Sequence, residues 1–282
     1  MSETARGAQG PSSVRRRRSV VVTLLATTLA LVGLLWTEAP VAAASAKVVV
    51  VVGPSHSATS RYVSIAKSYA SQARSYGARV SEIYSPYATW ARVRTAAQGA
   101  NLLIYIGHGN GWPSPYRPFS VYRKDGLGLN ATAGAGNANT KYYGEYYVDR
   151  YIQLAPNAVV ILNHLCYASG NSEPGDALPT KSVAIRRIDN FGAGFLRTGA
   201  KAVFALGHES AAYVIRALFT GGSAMTMRSV FYSSPQRTLR YAFSFSSNRT
   251  PGMTAAVDPE GPGRYYRSVI GKLSTTVGAW RP

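Results

Sequence analysis

The feature that most constrains the fold of this chain is a short apolar run that ends on a histidine. Leu102–Ile106 carries no charged residue and is followed at once by Gly107 and His108. Such a run is typical of a strand buried on both faces, as in a parallel sheet. A second run, residues 158–163, precedes Cys166, the only cysteine. Since active sites of open parallel sheets form beyond the carboxyl ends of the strands, we expect His108 and Cys166 to share one sheet edge.

The rest of the chain alternates between strand and helix patterns. Strands are predicted at residues 47–52, 79–84, 101–106, 157–162 and 201–206, with two more in the tail at 240–245 and 265–269. Helices are predicted at residues 60–76, 89–98, 146–154, 183–198, 211–220 and 224–232. This alternation predicts an α/β fold with a mostly parallel sheet and helices on both faces.

Two segments depart from that alternation. Residues 1–46 combine a basic stretch, an uncharged apolar run and a small-residue cleavage site, which is typical of an export signal of the Sec or twin-arginine type. The apolar run is near the lower length limit of a membrane span, so a retained signal anchor is the alternative. Residues 107–145 are rich in Gly and Tyr and have no period, which indicates a long functional insertion in a single domain at 47–282.

The charge of the chain bears on its location and partners. The formal net charge is +19 at pH 7. The basic residues are scattered and match no nucleic-acid-binding motif. We therefore expect a secreted or cell-envelope protein, attracted to an anionic cell wall or membrane surface rather than to a specific nucleic acid. The pattern leaves the oligomeric state open.

A thiol and an imidazole at one sheet edge are the parts of a nucleophile and its base. His108 is suited to accept the proton of Cys166 and to return it to a leaving group. The glycine at position 109 lets the backbone approach a substrate closely. The main-chain amides of Gly109 and Cys166 are the natural donors to an oxyanion.

The segments that contain His108 and Cys166 resemble those of the caspase-like cysteine peptidases, the group of caspases, gingipains, clostripain and separase. The evidence is the His-Gly strand end, the cysteine about 58 residues later in the segment 163–170, and the helix-to-strand segment 195–204. The resemblance implies an exported bacterial member with an αβα sandwich, a dyad of His108 and Cys166, and cleavage of peptide bonds without a cofactor. The sequence departs from the group at Leu165, where many members have a small residue.

The substrate-binding residues are less defined. Glu173 and Asp176 follow the cysteine and are suited to select a basic side chain of a peptide or protein substrate. Asp149 and Asp189 are alternative candidates. Trp112, together with tyrosines of the insertion, is a candidate wall for a peptide or a carbohydrate; the candidate tyrosines are Tyr116, Tyr142, Tyr143, Tyr146, Tyr147 and Tyr151.

Two other functions compete with a peptidase. The first is a non-catalytic binding module of the cell envelope on the same fold, which uses the Gly/Tyr-rich insertion and the positive charge. The second is a metal-dependent hydrolase. His56, His108, His164 and His208 all follow predicted strands, and Glu209 adds a carboxylate, so several imidazoles could meet at one edge. No close-spaced ligand pair such as HExxH is present, and we expect no metal in the site.

Overall fold

The computed structural model describes residues 45–282, which belong to one compact unit. The predicted export signal lies outside the described residues except for its last two positions, Ser45 and Ala46. Among residues 45–282, no helix combines the length and the apolar character that a bilayer span requires.

Ten strands, seven α-helices and one short 3-10 helix (His56–Ala58) follow one another in the described part of the chain. The strands are β1 (Lys47–Val52), β2 (Arg79–Tyr84), β3 (Leu102–Ile106), β4 (Leu127–Asn130), β5 (Thr140–Tyr143), β6 (Val159–Asn163), β7 (Ala202–Leu206), β8 (Phe243–Ser246), β9 (Thr254–Val257) and β10 (Arg267–Gly271). The helices are α1 (Thr59–Ser75), α2 (Trp90–Ala97), α3 (Glu145–Tyr151), α4 (Lys181–Arg197), α5 (Ala212–Thr220), α6 (Met227–Tyr232) and α7 (Val277–Trp280).

Eight of the strands form the main sheet, in the order β2-β1-β3-β6-β7-β10-β9-β8. The first five are parallel, and the last three are antiparallel. β3 and β6 are direct neighbours, and Ile106 lies opposite Asn163 at their carboxyl ends. The prediction of a mostly parallel α/β sheet is confirmed.

Helices cover both faces of the sheet. On one face, Leu103 and Tyr105 of β3 pack in a core with α2, α3 and α4. On the other face, Leu102 and Ile104 pack in a second core with α1, α5, α6 and α7. All five residues of β3 are fully buried, because side chains that point either way from a strand meet a helix layer. The architecture is therefore an αβα sandwich.

The structure corrects the sequence reading in two regions. The insertion at 107–145 contains an ordered two-stranded hairpin, β4 paired with β5. In the tail, the strand Thr254–Val257 and the helix Val277–Trp280 were not predicted. Both are only four residues long, and the strand contains two alanines, so neither carries a recognisable period.

A buried polar cluster joins the end of β7 to β10. The Arg267 guanidinium bonds the carboxylate of Asp258 and donates to the Ser234 hydroxyl at 2.6 Å. It also lies 3.6 Å from the Glu209 carboxylate, whose pKa is raised mainly by burial. The buried guanidinium of Arg267 is thus the counter-charge of two buried carboxylates, those of Asp258 and Glu209.

We expect an Arg267→Met variant to lose about 3–5 kcal/mol of unfolding free energy, because it leaves two buried carboxylates without a counter-charge. Urea denaturation measures the loss. The control is Arg74→Met, which removes an exposed pair with Glu82 and should cost less than about 1 kcal/mol. Equal losses for the two variants would contradict this account of the buried cluster.

Candidate active site

The loop after β3 is anchored from inside the sheet. The hydroxyl of the buried Tyr105 donates to the carbonyl of Gly128 at 2.7 Å and lies 3.1 Å from the carbonyl of His108. It also accepts from the Gly128 amide at 3.0 Å. A single phenol therefore connects the His108 loop to strand β4 of the hairpin.

The loop after β6 begins at a buried amide side chain. Asn163 donates from Nδ2 to the carbonyls of Leu206, at 2.9 Å, and Glu209, at 2.8 Å, and it accepts from the Tyr69 hydroxyl at 2.9 Å. These bonds tie the end of β6 to β7 and to α1. The start of the cysteine loop is therefore held by three hydrogen bonds.

The cysteine itself lies in a tightly turned segment. His164 and Tyr167 have positive φ angles of 60° and 70°, a conformation uncommon for residues other than glycine. The amide of Ala168 donates back to the carbonyl of Cys166 at 2.9 Å. The turn leaves Cys166 only partly buried, at the surface of a cleft. Uncommon backbone angles of this kind cluster at functional sites.

The two loops pack against each other through their backbones. A Cβ atom placed on Gly109 would lie 2.0 Å from the carbonyl oxygen of Cys166. Glycine is therefore required at position 109 for this contact. Within residues 45–282, the amides of Gly109 and Cys166 donate to no backbone acceptor. Two adjacent free amides of this kind are suited to hold an oxyanion.

A cleft of about 610 Å³, named here the His108 cleft, brings the predicted pair together. His108, Cys166, Gly109 and Glu173 all line it. The other lining residues are His56, Asn110, Tyr116, Arg123, Ala138, Thr140, Tyr142 and Pro174. The hairpin contributes Thr140 and Tyr142, so the insertion forms one wall of the cleft.

The imidazole of His108 is held in its neutral form. Burial lowers its pKa first, and the nearby His56 lowers it further, whereas Glu173 acts in the opposite direction. The two rings are in an edge-to-face arrangement with centroids 5.7 Å apart. A neutral imidazole near physiological pH is the form that accepts a proton.

The thiol of Cys166 is also neutral. Burial is the largest cause that raises its pKa to about 12, and the carboxylates of Glu173 and Asp176 add to the effect. The cleft thus contains a neutral thiol and a neutral imidazole rather than a preformed ion pair. A proton transfer during attack, rather than before it, fits this arrangement.

The predicted substrate-binding residues lie in different places. Glu173 lines the His108 cleft and accepts from the Tyr116 hydroxyl at 2.7 Å. Asp176 is outside the lining and lies 3.4 Å from the Tyr167 hydroxyl. Trp112 is also outside the lining; its ring lies 5.7 Å from that of Phe119, and its amide donates to the buried Asp125 at 3.0 Å.

The alternative acidic candidates are occupied elsewhere. Asp149 pairs with Arg197 at 2.9 Å, outside the His108 cleft. Asp189 is buried on α4 and accepts from the Ser247 hydroxyl and the Asn248 amide. Both carboxylates are already paired with other residues of this chain, which indicates structural roles.

The sequence analysis missed five residues of the cleft lining and placed all the candidate tyrosines in one wall. The missed residues are Asn110, Arg123, Ala138, Thr140 and Pro174. They lie in loops or in the unpredicted hairpin, where no periodic pattern marks a residue. Tyr116 and Tyr142 are in the lining as well. The remaining candidate tyrosines form a separate surface cluster with Tyr122 and Trp90: Tyr143, Tyr146, Tyr147 and Tyr151.

The four histidines do not converge on a metal site. His164 stacks on Tyr62, with centroids 5.3 Å apart, and His208 lies against Tyr266 and 2.5 Å from a carboxylate oxygen of Glu260. In the part of the chain that the structure describes, no three metal-ligating side chains are grouped. The geometric basis of the metal-dependent hydrolase is therefore missing there.

Comparisons with known proteins add little to this geometry. No family model and no curated protein matches the chain. Among solved structures, it is similar to the Arg-specific cysteine proteinase gingipain R, with 13% identity and a TM-score of 0.34. The match covers 84% of this chain and 62% of that chain, so this chain spans about three fifths of that proteinase. At this level of similarity, no residue role passes from that proteinase to this chain.

We expect a Gly109→Ala variant to lose about 1–3 kcal/mol of unfolding free energy, because the added methyl group collides with the Cys166 backbone. Chemical denaturation measures the loss. Gly222→Ala is the matched control, since a Cβ there meets nothing within 4 Å. Unchanged stability of the Gly109 variant would show that the two loops are not in contact.

We expect a Glu173→Gln variant to react faster with a small electrophile such as iodoacetamide. Removal of the carboxylate charge lowers the pKa of Cys166, so that more thiolate is present at a given pH, and labelling at pH 8 should rise roughly twofold to fivefold. Mass spectrometry of the native protein follows the reaction. Asp149→Asn, which lies outside the cleft, should label at the wild-type rate. A slower Glu173 variant would contradict the electrostatic assignment.

Proposed function

We propose that this protein is a cysteine peptidase that cleaves peptide bonds with Cys166 as nucleophile and His108 as acid and base. The observation that carries the proposal is the position of these two residues. They follow adjacent parallel strands, line one cleft and are joined by the contact between Gly109 and the Cys166 backbone.

The geometry suits a stepwise acyl transfer. The sulfur attacks the scissile carbonyl while its proton passes to His108, and the carbonyl oxygen becomes an oxyanion between the amides of Gly109 and Cys166. The C–N bond then breaks as His108 returns the proton to the leaving amine. Water, deprotonated by the same imidazole, hydrolyses the thioester and restores the thiol.

The carboxylate of Glu173 favours a peptide with a basic side chain, although Arg123 also lines the cleft. Glu173 lies in the lining and accepts from the Tyr116 hydroxyl, and the two oxygens of a carboxylate can accept further hydrogen bonds. A substrate cation paired with Glu173 would also offset the charge that raises the pKa of Cys166. Binding of a basic residue and activation of the thiol are thereby linked in this proposal.

Export to the cell envelope is part of the proposal. It rests on the pattern of residues 1–46 and on the formal net charge of +19. The charge favours attraction to an anionic cell wall or membrane surface. The peptidase would then encounter its protein substrate outside the cytoplasm.

A second candidate function is a non-catalytic binding module of the envelope. The observation that favours it is the cluster of tyrosines around Tyr147, where Arg150 lies over the ring of the partly exposed Tyr146. Aromatic faces beside basic groups suit anionic glycans. The raised pKa of the Cys166 thiol also agrees with a protein that has no catalytic activity.

We expect Cys166→Ala to abolish hydrolysis of a peptide library and His108→Ala to reduce kcat/KM about 10²–10⁴-fold. The control is Asp149→Asn, which lies outside the His108 cleft. Hydrolysis that persists in the Cys166 variant would overturn the peptidase proposal. Absence of hydrolysis by the wild type, with salt-sensitive sedimentation on cell-wall material, would favour the binding module.

The pH dependence gives a separate test. His108 must be neutral to act as a base, and its lowered pKa places the acid limb of kcat/KM below the ~6.5 of an exposed histidine. His56→Asn removes one cause of that lowering, so the limb should move to higher pH. A limb that stays in place in this variant would show that the titrating group is not His108.

A further inference from the structure

A second cleft lies on the other side of Cys166. It has a volume of about 410 Å³ and is named here the His208 cleft. Its lining shares Cys166 and Pro174 with the His108 cleft and otherwise consists of different residues. The thiol is therefore at the boundary between two cavities.

The order of the strands explains this arrangement. β3, β6 and β7 are consecutive neighbours in the sheet, and they are followed in the chain by His108, Cys166 and His208 respectively. The three residues thus lie in this order along one sheet edge. A peptide that extended along this edge would pass over Cys166 and would reach a cleft on each side of it.

Paired rings form the walls of the His208 cleft. His164 stacks on Tyr62 with centroids 5.3 Å apart, and His208 lies 4.5 Å from the ring of Tyr266. The pKa of His164 is lowered by burial and then by Arg61, which keeps this imidazole neutral. These walls offer flat surfaces and little charge.

The charged residues of the His208 cleft, Glu260 and Arg264, lie in the loop between β9 and β10. Glu260 is engaged by the Nε2 atom of His208 at 2.5 Å. The exposed Arg264 forms no ion pair with any of residues 45–282. Its guanidinium is thus an available cation on the lining, whereas the carboxylate of Glu260 is already engaged by His208. Each cleft contains one arginine and one glutamate, Arg123 with Glu173 and Arg264 with Glu260. In the His208 cleft the charged group left for a ligand is therefore the cation of Arg264.

We propose that the His208 cleft binds the part of a peptide on one side of the scissile bond and selects an acidic side chain there through Arg264. A guanidinium binds a carboxylate through two parallel hydrogen bonds, which gives selectivity as well as affinity. The substrate is then an extended chain held on both sides of Cys166. This inference rests on the proposed peptidase function.

The test uses a charge reversal in the full chain. Wild type, Arg264→Glu and the control Arg228→Glu, which lies outside both clefts, are assayed with peptides that carry Glu, Gln or Lys at each position around the cleaved bond. We expect the wild type to prefer Glu over Lys at one position by about threefold to tenfold in kcat/KM. Arg264→Glu should reverse this preference, and Arg228→Glu should retain it.

The outcomes separate the two proposals. If cleavage depends on Cys166 and the preference is unchanged in Arg264→Glu, the peptidase function stands and the inference about the His208 cleft is wrong. If the wild type cleaves no peptide, the peptidase function fails, and fluorescence anisotropy with the same peptides tests the cleft directly. Binding that favours Glu and reverses in Arg264→Glu supports the cleft, whereas equal binding of Glu and Lys peptides overturns it.

Discussion

The parallel pairing of β3 with β6 is the constraint on which the site depends. Because the two strands are neighbours and run in the same direction, the chain leaves both at the same edge, with Ile106 opposite Asn163. The loops that follow are then close enough for Gly109 to rest on the backbone of Cys166. Local bonds preserve this placement: the Asn163 amide anchors one loop, and the Tyr105 hydroxyl anchors the other. The reactive side chains are thus placed by strand order first and by loop geometry second.

The electrostatics of the site follow from burial at that edge. Partial removal of the thiol and of the imidazole from water favours the uncharged form of each, and the carboxylates near Cys166 reinforce the effect on the thiol. Such a pair contains little thiolate near neutral pH. Chemistry at this site therefore needs a bound substrate to supply orientation and charge. Glu173 is central to both requirements, since it lines the cleft and also acts on the pKa of Cys166.

The sequence predicts the interior of this fold better than its periphery. β1, β2, β3, β6 and β7 were found to within about two residues, because strands of a parallel sheet carry recognisable apolar or alternating runs. The hairpin was missed because its pairing depends on distant contacts, such as the bond from Tyr105 to Gly128. The sequence also brought His108 and Cys166 to one edge, but Trp112 could not be placed, since the loop turns its backbone toward Asp125. The raised pKa of the thiol depends on burial and on Glu173, and neither can be derived from spacing.

The segment at 171–176 has a consequence for how the two clefts respond to each other. Pro174 lines both of them, so this segment is a common partition. The buried Arg187 of α4 donates to the carbonyl of Asn171 at 2.7 Å and fixes one end of the partition. The other end is held as well, since Asp176 lies 3.4 Å from the hydroxyl of Tyr167. Because Pro174 is a wall of both compartments, a ligand that displaces it in either direction would enlarge one compartment at the expense of the other.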